Sequence, residues 1–210
     1  MQPFQRSNFE QRQIYNILPG DAESKPGHAS LCVLDWVCNG RQANGENWSF
    51  FRYGSRNEVY IVQPNGKRTL LLRDNMILDD GGSEGSIAAR MGGQAVFGTL
   101  ILYGPLLSSL GNWFMSEFKQ LPRIGGRKWD SDSENGGEEE VDPASARRAV
   151  RHRQESLDRV LWSAAAVRGC VVVKFGAPEV ETGKHWLKGM LEEQGSVASL
   201  FGDRALLCLR

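Results

Sequence analysis

EVYIVQPNGKRTLLLRDNMIL, residues 58–78, sets two apolar, β-prone runs on either side of Pro64-Asn65-Gly66. Two such runs joined by that turn chemistry predict an antiparallel hairpin. The stretch before it, residues 31–51, has the same design: a run rich in Val, Leu, Trp and Phe is broken by NGRQANGEN, so a second hairpin is expected there. AVFGTLILYG, residues 95–104, is a further strand that ends at Gly104-Pro105.

Helical signals are fewer. Ser86 is placed to cap a short helix over GSIAARM. Pro105 suits the first turn of a longer one, in which Leu106, Leu107, Leu110, Phe114 and Phe118 recur at helical spacing. Near the C-terminus, Val171 to Phe175 reads as a strand, and PEVETGKHWLKGMLEEQ as a helix with Trp186, Leu187, Met190 and Leu191 turned inward. DRALLCLR is expected to be a last strand. The fold class that follows is mainly β, with antiparallel or mixed sheets and two or three α-helices. A β-rich core is expected over 1–122, a disordered charged insertion over 123–155, and a strand-helix-strand unit over 156–210 that completes the same domain. The insertion is assigned from its acidic cluster, its following basic cluster and its lack of residues to bury.

Composition narrows the functional classes. Lys plus Arg and Asp plus Glu each number 25 among 210 residues, so no net field draws in nucleic acid or an anionic membrane. Cys32, Cys38, Cys170 and Cys208 lie in apolar runs and read as buried free thiols, and the three histidines are scattered, which argues against a Cys/His metal cage. The N-terminus is polar and no run reaches about 18 apolar residues, so a cytosolic location is expected.

Two enzymatic patterns are present in outline. Gly81-Gly82-Ser83-Glu84-Gly85 matches the G-x-S-x-G of a hydrolase elbow, with His185 as the available base. That chemistry needs a parallel sheet of alternating strands and helices, whereas these strands follow one another through hairpins. Gly183-Lys184 resembles the end of a phosphate-binding loop, but its glycine spacing is wrong and His185 stands where Ser or Thr belongs. Carboxylates in apolar surroundings are the more distinctive feature: Asp35 between Leu34 and Trp36, Glu46 after a turn glycine, and Asp74 after Leu70 to Leu72. Each needs a partner, and Arg41 and Arg73 are the nearest in sequence. Plain ion pairing is one reading of these acids, and oxygen ligands for a loosely held divalent ion are the other.

SLCVLDWVCNGRQANGENWSF, RNEVYI, LLLRDNMILDD, SIAARM and VFGTLILYGPLL, in that order, resemble the UreD (UreH) family of urease accessory proteins. The most specific piece is D-W-x-x-x-G-R-x-x-x-G-E-x-W, carried by Asp35, Trp36, Gly40, Arg41, Gly45, Glu46 and Trp48. QPFQRSNFEQRQIYNI resembles the family strand before that block, and Trp162 to Arg210 its closing strand-helix segment. The resemblance implies a non-catalytic β scaffold that binds urease apoprotein and UreF, with the GTPase UreG joining through UreF, and that helps to insert nickel into urease. By the same resemblance, Asp35, Glu46 and Asp74 are candidates to line a passage for transient nickel. Family members usually begin with a further glycine-rich region, so this sequence is expected to be the later part of the family's length, with sheet edges left open.

Overall fold

The computed structural model describes residues 1–18, 29–81, 85–121 and 142–209. Two sheets pack face to face, and helices cover the far side of the second. The first sheet has the order β1-β3-β4, from β1 (Asn8–Ile17), β3 (Arg52–Val62) and β4 (Arg68–Asp79). The second has the order β2-β5-β7-β6, from β2 (Leu31–Cys38), β5 (Val96–Tyr103), β7 (Cys170–Ala177) and β6 (Leu161–Val167). All pairings are antiparallel except β1 with β3, so the mainly β, mixed-sheet expectation is met. The helices number five among the described residues, α1 (Ile87–Arg90), α2 (Ser108–Lys119), α3 (Pro143–Leu157), α4 (Val180–Gln194) and α5 (Ser196–Phe201), more than the two or three expected.

Several elements follow local chemistry closely. The β3–β4 hairpin turns through Pro64-Asn65-Gly66, with Gly66 at φ +79°, a conformation that favours glycine. Ser86 Oγ accepts from the Ala89 amide and caps α1. α4 buries Trp186, Leu187, Met190 and Leu191, the stripe its periodicity predicts. Together with Leu110 and Phe114 of α2, and with Leu100, Leu102, Val173 and Phe175 of the second sheet, these residues form the largest core.

Other elements depart from expectation. The 31–51 hairpin does not form: β2 pairs with β5, and the segment after it crosses to the other sheet. Trp48 and Phe50 are buried against Phe97, Tyr53 and their neighbours, and that burial places the chain between the sheets instead of back along β2. Residues 142–157, assigned in large part to a disordered insertion, include α3; the rest of that insertion, 123–141, lies outside the described residues. Asp142 caps α3, Pro143 starts it, and its arginines dock it, with Arg148 and Arg151 on the buried Glu117 of α2. Burial pushes the Glu117 carboxyl up, but the hydrogen bonds from those two guanidiniums outweigh it and hold it below the usual range. Asp203–Leu209 is a 3-10 helix, not a strand, and Leu206 and Leu209, one turn apart, both reach the main core. Of the cysteines, Cys170 is buried and Cys38 half-buried, whereas Cys32 and Cys208 are exposed. Cys32 lies on an edge strand, where a side chain has a neighbouring strand on one side only.

Candidate functional site

The space between the sheets is apolar at both ends and polar in the middle. One end holds Ile17, Val59, Leu72, Ile101, Cys170 and Val172; the other holds Val37, Trp48, Phe50, Tyr53 and Ile87. Each central strand shows the switch along its inward face. On β5 it runs Phe97, Thr99, Ile101, and on β3 it runs Tyr53, Ser55, Asn57, Val59, because alternate residues of a strand share one face. Register aligns the polar members into rows: Asp35 lies opposite Thr99, and Thr99 opposite Lys174, in the second sheet. In the first sheet, Gln11 lies opposite Ser55, Gln13 opposite Asn57, and Asn57 opposite Asp74.

Asp35 spans the gap. Its carboxylate accepts from Ser55 Oγ at 2.6 Å, Asn57 Nδ2 at 2.9 Å and Gln11 Nε2 at 3.3 Å, all on the facing sheet. These donors are neutral, so their contact with the carboxylate is one of hydrogen bonding. Tyr53, against the same cluster, has its hydroxyl pushed up to about 12, first by burial and then by the charge on Asp35. At the other side of the band, Lys174 Nζ lies 2.6 Å from Asp74 Oδ1. Arg73, the sequence neighbour of Asp74, turns to the outer face instead and joins Arg12 on the fully buried Glu58.

The D-W…G-R…G-E-x-W block therefore has divided roles. Asp35 enters the band, while Trp36, one residue on, faces the opposite way into the helix-covered core. Glu46 stands apart from Asp35 and Asp74 in a locked loop. Arg41 donates to it from Nη2 at 2.5 Å, from Nε at 3.1 Å and from its backbone N–H at 3.0 Å. The side-chain and backbone donors of Arg41 hold the Glu46 carboxyl down at about 2. Gly40, at φ +115°, leaves no room for a side chain, because a Cβ there would sit 3.0 Å from the Glu46 Cβ. Gly45, at φ +71°, ends the short 3-10 turn of Gln42–Asn44. Trp48 closes the block by donating from Nε1 to the Gln94 carbonyl at 2.8 Å.

Ser55, Asn57, Thr99 and Lys174 are band members that reading the sequence did not single out. The available signal was a polar residue at an inward period-two position flanked by apolar ones, as in Phe97-x-Thr99-x-Ile101. Ser83 of the G-x-S-x-G pattern lies outside the described residues, and His185 is exposed on α4. Among the described residues, no group of three or more His, Cys, Asp and Glu side chains is gathered as a metal site, and no helix is long and apolar enough to cross a membrane.

The family model described as UreD urease accessory protein matches residues 1–205. "Urease accessory protein 4" of Cryptococcus neoformans var. grubii is 28% identical over 96% of this chain and 54% of its own length. A Schizosaccharomyces pombe protein named as an uncharacterized ureD-like urease accessory protein is 26% identical over 93% of this chain and 58% of its own. "Urease accessory protein D" of Oryza sativa subsp. indica is 30% identical over 58% of this chain and 35% of its own. The chain thus spans little more than half the length of the first two of these relatives. On the match across nearly its whole length, the chain belongs to the UreD family of urease accessory proteins.

Proposed function

We propose that this chain acts in urease maturation as a non-catalytic scaffold in the cytoplasm. In this reading it binds urease apoprotein and UreF, is joined by UreG through UreF, and passes nickel along the interior polar band that contains Asp35 and Asp74. The observation that carries the reading is the band itself. Polar side chains across a sandwich core cost stability that a continuous apolar core would not. Keeping two apolar clusters apart with a row of oxygens and amides is therefore a feature that asks for a use.

Oxygen donors suit brief contact with a borderline cation such as nickel, which binds imidazole and thiolate more firmly. Such weak contact favours release as much as capture. Family membership supports the choice of metal and of client. In this account nickel is cargo, Asp35 and Asp74 are its contacts, and Glu46 acts at a distance by holding the loop that carries Trp48 between the sheets.

The test is urease activity in cells that lack their own UreD-type protein, supplied with this chain or its Asp35→Asn variant. Activity restored by the chain and lost in the variant, with both forms equally abundant, is the expected result. Capture of urease and UreF by the chain without restored activity would reduce it to a binding scaffold and overturn the conduit.

A further inference from the structure

Two buried oxygens in the band make no hydrogen bond among the described residues: Thr99 Oγ1 and Asn57 Oδ1. Both residues are 1% exposed. Register places them next to the Lys174–Asp74 pair, with Thr99 opposite Lys174 and Asn57 opposite Asp74. A carboxylate and two oxygens without donors make a neighbourhood that favours a positive charge. The charge present there is the ammonium of Lys174, a donor without acceptor capacity on a flexible stem.

That ammonium is not sealed in. The Lys174 side chain is 43% exposed and Asp74 13%. Lys174 also borders a cavity of about 340 Å³, lined with Met76, Phe97, Leu161, Trp162 and Ser163. β6 supplies Leu161 and Ser163, and Leu161 is 65% exposed, so this side of the sandwich opens to solvent. The cavity that adjoins the lysine gives its flexible stem space away from Asp74.

We propose that Lys174 is a tethered counter-ion that controls access to a weak oxygen site for a hydrated divalent cation, formed by Asp74, Asn57 and Thr99. With the band empty, the ammonium neutralises Asp74. An arriving divalent ion takes the carboxylate, and the lysine swings into the adjoining cavity. The exchange makes and breaks only electrostatic contacts, and its outcome depends on competition between one charge and two. Lysine suits this role better than arginine, whose planar fork would grip the carboxylate through two bonds. The proposal rests on the conduit reading, but its test does not.

The experiment is equilibrium dialysis of the 210-residue chain against Ni²⁺ alone, comparing the unaltered protein with Lys174→Met and Lys174→Met/Asp74→Asn. Removing a competing unit charge in direct contact is expected to tighten binding by about tenfold in Lys174→Met. The Asp74→Asn change should abolish that gain. A Lys174→Met protein that binds no more tightly than the original, or a gain that survives Asp74→Asn, would overturn the proposal. Lys174→Gln carries the same expectation and takes the place of the methionine variant if that one aggregates. Failure of the conduit reading shows separately, as urease activation that is unaffected by Asp35→Asn.

Discussion

Replacing Asp35, Ser55 and Asn57 together by Val, Ala and Val should leave the protein about as stable as it began, whereas Asp35→Ala alone should not. In the single variant, Ser55 Oγ and Asn57 Nδ2 lose the acceptor they reach at 2.6 and 2.9 Å, and both residues are buried. An unsatisfied buried donor costs about 1–3 kcal/mol, so the loss of both comes to about 2–6 kcal/mol. The triple variant removes the donors along with the acceptor and lets the two apolar clusters meet. Gln11 keeps Tyr53 Oη at 3.3 Å as a partner. Each added buried methylene is worth about 0.8 kcal/mol, which offsets small packing errors and leaves the triple within about 1 kcal/mol of the starting protein. Urea unfolding followed by tryptophan fluorescence measures both variants. A triple as unstable as the single would mean that the band is a structural requirement of the sandwich, and the functional reasoning built on it would fail.

Thr99→Val, which removes a buried hydroxyl that has no partner among the described residues and nearly keeps its shape, should raise stability by about 1 kcal/mol, read as a higher urea midpoint. Gly98→Ala should cost about 1–3 kcal/mol, because its Cβ would sit 2.3 Å from the Phe175 ring; thermal melting checks it. Glu46, held at about 2 against an ordinary 4.5, stabilises the fold fully above its unfolded value and progressively less as pH falls from about 4.5 toward 2. Glu46→Gln should therefore lower the melting temperature at pH 7 and flatten its fall across that acidic window, and an unchanged acid slope would show that the Arg41 contacts do not set it.

How much of this was legible in the sequence depended on the range of the interaction. The β3–β4 hairpin, the Ser86 cap and the buried stripe of α4 rest on residues within a few positions of one another, and each formed as local chemistry predicts. NGRQANGEN states that the chain turns but not toward which strand, and the burial of Trp48 against Phe97, 49 residues later on β5, decides it. The parallel pairing of β1 with β3 has no local signature either. α3 was hidden because its docking face is charged: composition marks Arg148 and Arg151 as solvated, and only the fold brings Glu117 to meet them. Asp35 stood out as an acid in an apolar strand, but its partners Ser55 and Asn57 read as ordinary strand residues until the two sheets were laid face to face.

The most direct test of the central claim is the nickel content of urease purified from cells in which this chain, or the Asp35→Val/Ser55→Ala/Asn57→Val form, is the only UreD-type protein. Capture of urease by each form is measured in the same preparation. The account predicts that both forms capture urease and that only the original chain yields nickel-loaded enzyme. Equal nickel loading by the apolar form would contradict it, since the metal would then reach urease without the band.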